Sequence, residues 1–481
     1  MKKIFTYVAP ALALLGLTLG GCQPDITDPK PSAGTADFSR YIAVGNSLTA
    51  GFADNGLYLE GQQNSYPALL AQQFGQVGGG EFVQPLFAEA NANGSGYVRL
   101  AGFDAAGNPQ IGAVTTSLAV IAGSQNAGTN LLVRYTGTGN QNLGVPGIRV
   151  ADITTAGYGF NNPLGYNTFF ERLLPANSPT TYLAYVQERV GTVKPTFFTN
   201  WLGNNDVLGY ATSGGVAPLT DPVEFGTKYA LMTDVLTAGG AKGLVVNIPS
   251  VTNLPLFTTV PTATAIAGVA SQPVPDAVKA LLTSRLQLTA AQAATIRFGL
   301  FVRAINATGA LVTREATAND LILLPARGLI GAPSPVPGGL PGGFGVLITG
   351  LAPAQAAGLA AALPANALPN GAVLDALEVT ATINRTNELN AIILANAQRK
   401  DLAFWDANGF FTRISRSGLA INGVATSTAF ITGGLFSLDG VHPTPRGYAV
   451  ATNEMIGVIN AKYGASVPGL DATRYRGVKF P

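Results

Sequence analysis

Short apolar runs and amphipathic stretches alternate along this chain, separated by polar, glycine-bearing turns. Apolar or β-branched runs at 38–44, 196–202, 243–248 and 401–406 have the length and density of buried strands. Between and after them, 66–74, 182–190, 225–238 and 447–463 pattern as helices. Val379, Ile383, Leu389, Ile393 and Ala397 also recur at roughly helical spacing. Strands that alternate with helices predict an α/β fold with a parallel central sheet. The run Asn142-Leu143-Gly144-Val145-Pro146-Gly147 is expected to be a turn where regular structure resumes. Two stretches interrupt the alternation and are expected as insertions, at about 76–140, rich in Gly, Asn and Thr, and at about 258–368. The second carries a turn-dense run over 333–345 and an alanine-rich helix candidate near 353–362. Its glycines lack the strand-then-helix setting of a phosphate loop. One domain over 38–467 with a C-terminal tail at 468–481 accounts for the pattern.

The amino terminus has a different character. Lys2-Lys3 precedes an apolar run from Ile4 to Leu19, then Gly20-Gly21-Cys22. A basic start, a short hydrophobic stretch and small residues before a break describe a secretory signal over 1–21. The run falls short of the roughly 20 apolar residues that span a bilayer. Cys22 is the only cysteine, which excludes an intramolecular disulfide. Standing after Leu-Gly-Gly, it resembles the lipobox of bacterial lipoproteins, in which that cysteine is lipidated and becomes the first residue. The polar, proline-bearing 22–37 is expected to be a flexible tether between the lipid and the folded body. Gln23, rather than an aspartate, follows the cysteine, which points to the outer membrane of a Gram-negative cell. The expected location is therefore exported and membrane-anchored.

Charge narrows the partners. With 28 Lys+Arg against 26 Asp+Glu and no basic cluster after the first three residues, the footprint of a nucleic-acid binder is missing. A single cysteine and a single histidine exclude a His/Cys zinc or iron site, and no cofactor or metal is expected. That histidine, His442, stands in Asp439-Gly440-Val441-His442. General acid–base chemistry through imidazole can occur only there. Ser47 follows the first strand and opens a helix, where unpaired N–H groups and the helix dipole favour negative charge. Gly147 sits in a tight turn with an approachable N–H, and Asn205 follows the strand at 196–202 with a side-chain amide to offer. In open α/β sheets, ligands bind beyond the carboxyl ends of the strands, so one crevice can collect all five residues. Acyl transfer fits them: His442 takes the proton of Ser47, and Asp439 holds the imidazole. The N–H groups of Ser47 and Gly147 and the Asn205 amide meet the oxyanion.

These segments resemble the conserved blocks of the SGNH hydrolases, also called GDSL esterases/lipases. Gly45-Asn46-Ser47-Leu48 is similar to the first block, Asn142-to-Gly147 to the second, Gly203-Asn204-Asn205-Asp206 to the third, and Asp439-Gly440-Val441-His442 to the fifth. The resemblance covers roughly 38–74, 142–257 and 372–463 and omits both insertions. It implies a three-layer α/β/α sandwich resembling flavodoxin, a catalytic Ser47, Asp439 and His442, and an oxyanion hole from Ser47, Gly147 and Asn205. Asn46 departs from the usual aspartate of the first block, and Pro146 stands where a hydroxyl residue is common. No Gly-x-Ser-x-Gly occurs, which argues against a nucleophile elbow. The expected function is a lipid-anchored serine esterase or lipase. Acylated glycans, lipids and small acyl esters are all open as substrates, and the insertions' apolar content leans toward an apolar acyl site. The competing expectation is a binding or scaffold lipoprotein that has lost catalysis, which an intact Ser47, Asp439 and His442 disfavours. Trp201 and Trp405, at strand ends, are expected in the core rather than on a substrate platform.

Overall fold

The computed structural model describes residues 30–105, 107–126, 129–160, 166–333, 343–353, 355 and 366–481. The expected signal segment, the first half of the tether with Cys22, and most of the 333–345 run and the alanine-rich helix candidate lie outside the described residues.

The core elements, in chain order, begin with β1 (Tyr41–Gly45), α1 (Ser47–Ala50) and α2 (Tyr66–Phe74). Next come β2 (Asn142–Gly144), α3 (Tyr182–Val193), β3 (Phe197–Trp201), α4 (Asn205–Thr212), α5 (Pro222–Thr237) and β4 (Lys242–Val246). The chain closes with α6 (Ala376–Arg399), β5 (Ala403–Trp405), α7 (Ala407–Ser417) and α8 (Pro445–Tyr463). The five strands form one parallel sheet in the order β5-β4-β3-β1-β2. Every residue of β1 and β3 is buried, as expected for central strands covered on both faces. α2 packs against α8, and α5 against both α3 and α6, an arrangement compatible with a three-layer α/β/α sandwich. Trp201 and Trp405 are buried and meet edge to face at 5.4 Å, so both belong to the core.

Local chemistry explains the helix ends. Asp375 caps α6 by accepting from the N–H groups of Leu377 and Glu378, while Glu378 accepts from the N–H of Asp375. Thr444 caps α8 by accepting from Gly447 N–H, Pro445 occupies its first turn, and left-handed Gly464 ends it. The 142–147 segment differs from expectation. Asn142–Gly144 is not a turn but the edge strand β2, because it pairs with β1; only the residues after it turn.

Both interrupting stretches carry structure of their own. The first builds two hairpins, Tyr97–Phe103 with Pro109–Val114 and Val120–Asn126 with Thr129–Leu132. The second holds helices Thr262–Ala270 and Asp276–Leu286 and a three-stranded antiparallel sheet with a separate apolar core around Leu300, Val302 and Val346. It joins the main body at the α6 cap, where Asp375 also accepts from Ile305 N–H.

Two segments expected outside the body are packed onto it. Ala36 is buried, and Thr35 N–H donates to Tyr463 at the end of α8, so the last residues of the supposed tether are docked rather than flexible. In the supposed tail, Ala472 is buried and Arg476 pairs with Glu60 at 2.6 Å. Backbone pairing in one case and an ion pair in the other supply contacts that polar composition does not reveal.

The strand order reverses between β1 and β3: the chain leaves β1 for β2 on one side and then crosses to β3 on the other. Gly45 pairs in register with Gly144 of β2 and with Trp201 of β3. The buried Tyr182 hydroxyl spans this edge, donating to Leu143 O at 2.7 Å. Tyr182→Phe leaves that carbonyl short of a donor in the interior. The expected cost is about 1–3 kcal/mol in denaturant unfolding, with an unchanged far-ultraviolet spectrum.

Candidate active site

Strand register places the first three groups. Ser47 lies two residues beyond Gly45, Gly147 three beyond Gly144, and Asn205 four beyond Trp201. All three therefore emerge at one end of the sheet, at the switch point between β1 and β3. Asn46 caps the single-turn α1 by accepting from Leu48 N–H at 3.0 Å, so its amide oxygen performs the local capping. Gly147 has φ of +85°, a left-handed conformation that strains any residue with a Cβ. The Ser47 and Gly147 N–H groups donate to no other described residue. Asn205 stands at the first position of α4, and its Nδ2 donates to Ile148 O at 2.9 Å. One amide hydrogen thereby orients the side chain, and the other stays free.

The last loop brings in the acid–base pair. His442 Nε2 lies 2.8 Å from Ser47 Oγ, and His442 Nδ1 lies 2.9 Å from Asp439 Oδ2. A Ser–His–Asp relay thus joins residues 395 apart in sequence. Phe52 covers the imidazole, with ring centroids 4.8 Å apart. Gly440 is left-handed, at φ +72°, and its carbonyl accepts from Leu256 N–H at 2.9 Å; a Cβ there would stand 2.8 Å from that same nitrogen.

Asp439 is the most heavily hydrogen-bonded group of the site. Oδ1 accepts from Ser437 Oγ at 3.1 Å and from the N–H groups of Val441 and His442 at 2.8 Å each. Oδ2 accepts from Asn55 N–H at 3.0 Å as well as from the imidazole. Burial alone raises its pKa. The charge of His442 and these donors outweigh burial and hold the carboxyl at about 2.

Asp206 carries a second buried carboxylate. It accepts from Val150 N–H at 2.8 Å, Ala151 N–H at 3.1 Å and the Thr220 hydroxyl at 2.8 Å. It thereby ties the turn after Gly147 to the helix that begins at Asn205. Here burial wins over the donors, and the carboxyl is pushed up to about 6.

The relay joins Ser47, His442 and Asp439, Asn205 borders the same small cavity as Ser47 and His442, and Gly147 enters only as the neighbour of Ile148, whose carbonyl orients Asn205. Several supporting residues carried no sequence signal: Phe52, Asn55, Ser437, Thr220 and the buried Asp54, which accepts from Leu438 N–H at 3.0 Å. The run Asp54-Asn55-Gly56 does read as a turn. That it braces a loop 384 residues away could not be read from it.

A comparison with known protein families found no matching family model, and a search of curated proteins found no match.

The two carboxylates act on stability with opposite sign. Asp439 has a depressed pKa, so its contribution is full above about pH 4 and is lost as pH falls toward about 2. Asp206 has a raised pKa, so the fold is favoured below about pH 4 and loses stability as pH rises through about 6. Asp206→Asn imitates the protonated form. Between about pH 4 and about 6, the wild type is expected to lose denaturant midpoint relative to this variant.

Proposed function

We propose that this chain is a serine esterase of the SGNH hydrolase type, hydrolysing carboxylic esters through an acyl-enzyme. The unbroken relay carries the proposal: Ser47 Oγ to His442 Nε2 at 2.8 Å and His442 Nδ1 to Asp439 Oδ2 at 2.9 Å. In the proposed cycle, Ser47 Oγ bonds to the ester carbonyl carbon while its proton passes to His442 Nε2. The carbonyl oxygen takes up negative charge opposite the N–H groups of Ser47 and Gly147 and the free amide hydrogen of Asn205. As the tetrahedral species collapses, the bond to the alcohol oxygen breaks and His442 returns the proton to it. Water then repeats the sequence on the acyl-enzyme, releasing the acid and regenerating the serine hydroxyl. Asp439 stays ionised throughout and holds the tautomer in which Nδ1 carries hydrogen.

The finer features of the family belong to the same proposal: the flavodoxin-like three-layer sandwich, the two long insertions bordering the crevice, and the absence of any cofactor. The strand order and the shared carboxyl-end location of the site support it. So does the saturated hydrogen bonding of Asp439, which a binding protein without catalysis has no need to maintain. We also propose that Cys22 carries lipid and anchors the protein in the outer membrane. The Leu-Gly-Gly-Cys sequence after a basic, apolar leader supports this.

Ser47→Ala is expected to abolish labelling by a fluorophosphonate and nearly all ester turnover. Substantial residual activity would remove Ser47 as the nucleophile. Asn205→Ala is expected to lower kcat by about 10²–10³-fold with a smaller change in KM. Asp439→Asn should lower kcat by on the order of 10⁴-fold through loss of tautomer control. Expressed in a Gram-negative host, the wild type is expected in the outer-membrane fraction and Cys22→Ser without lipid. Recovery of the wild type as a soluble periplasmic protein with a free thiol would overturn the anchoring.

A further inference from the structure

Two cavities of very different size meet at His442. The small one, of about 40 Å³, is bordered by Ser47 and Asn205 and closed by Ile248, Pro249, Val251 and Leu254. The large one, of about 930 Å³, is bordered by His442 and Asp439 but not by Ser47. The two share Leu208, Val441 and His442, so they are adjoining compartments.

We propose that the narrow compartment takes a short acyl group and the wide one a bulky, apolar alcohol. The assignment deepens the esterase reading above and rests on it. A reacting carbonyl carbon must touch Ser47 Oγ and present its oxygen to Asn205, and only the narrow cavity borders both residues. The acyl substituent starts from that carbon. A single water needs about 10–15 Å³ of such space, so the cavity admits only a few heavy atoms. The departing oxygen must instead approach His442 Nε2 to receive its proton, and what it carries continues past the imidazole into the wide cavity.

The linings agree with this division. Asn46 and Asn204 border the narrow cavity, and Asn46 Nδ2 and both polar atoms of the Asn204 side chain are buried without hydrogen-bond partners among the described residues. Those atoms are already shut off from the cavity, and the surface it does present is apolar, so its small size rather than its polarity limits the acyl group. The wide cavity lies toward the upper end of the range of about 300–1,000 Å³ found for small-molecule sites. Val98, Pro109, Ile111, Leu256, Leu324 and Phe430 form much of its wall. Ile111 is 43% exposed on its hairpin, an apolar side chain left facing the opening. Besides Asp439, the charged side chains bordering this cavity among the described residues are Asp104 and Arg327, and Arg327 is engaged with Asn108 at 2.5 Å. Such a wall suits an aromatic or polycyclic alcohol rather than a glycan hydroxyl.

The test crosses two ester series on the wild-type protein. One holds the alcohol constant and lengthens the acyl group from acetate through butyrate to octanoate. The other holds acetate constant and enlarges the alcohol from ethanol through phenylethanol to naphthylethanol, hydroxyls of similar acidity. We expect kcat/KM to fall at least about tenfold along the first series and to rise at least about tenfold along the second. Leu254→Ala, which widens the narrow cavity, should raise the octanoate-to-acetate ratio. Ile111→Asp, at an exposed hairpin position, should lower the naphthylethyl-to-ethyl ratio. A preference for octanoate with indifference to the alcohol would put the acyl chain in the wide cavity and overturn the assignment, as would flat rates along both series. Neither result touches the nucleophile. Absence of turnover with every ester, together with no fluorophosphonate labelling of Ser47, would instead overturn the esterase reading itself.

Discussion

A buried carboxylate is costly unless donors surround it, and in this protein that requirement organises the site. Asp439 accepts from five groups supplied by two parts of the chain. Four belong to its own loop, and the fifth is the backbone of Asn55, just after α1. A negative charge can stay there only while both segments are in place. Asp54 adds a reciprocal clasp, since its N–H donates to Ser437 Oγ and its carboxylate accepts from Leu438 N–H. The distance between Ser47 and His442 is therefore set by a closed hydrogen-bond circuit rather than by the reach of one side chain. Asp54 and Asn55 pay for it with left-handed backbones, at φ of 52° and 62°.

The oxyanion side follows the same logic with a different charge state. Asp206 collects the N–H groups after Gly147 and sits beside Asn205, so one carboxyl positions two proposed oxyanion donors. Its backbone and hydroxyl donors do not outweigh burial, which raises its pKa. Asp439 has an imidazole partner, and its pKa falls. In the proposed mechanism the pair divides the work: one anion would stabilise the positive charge developing on His442, while the other acts on loop geometry.

The two interrupting stretches give the crevice its shape. The first hairpin supplies Val98 and Ile111, and the chain just before and within the second stretch supplies Leu256 and Leu324. Under the proposed function, selectivity would reside in these stretches, while the relay is held by the end of β1 and the final loop.

The sequence by itself determined the strand–helix alternation, because buried strands and amphipathic helices have different hydrophobic periods. Helix 66–74 and the helices starting near 182, 222, 376 and 445 were legible for that reason. The candidate site was also legible: one histidine and short turn motifs at strand ends restrict where acid–base chemistry through imidazole can occur. Other features were decided only by tertiary structure. Asn142–Gly144 has the composition of a turn and becomes a strand because β1 offers it an edge. Residues of the supposed tether and tail became part of the body through contacts with α8 and Glu60. The brace from Asn55 to Asp439 left no trace because its donor is a backbone N–H, which every residue but proline possesses. The division of the crevice into unequal cavities was equally hidden, since volume depends on which side chains face each other across segments far apart in the chain. Periodicity and rare residues are local properties of a sequence. Register, saturation of buried charge and cavity shape are properties of contacts, and only the folded chain has them.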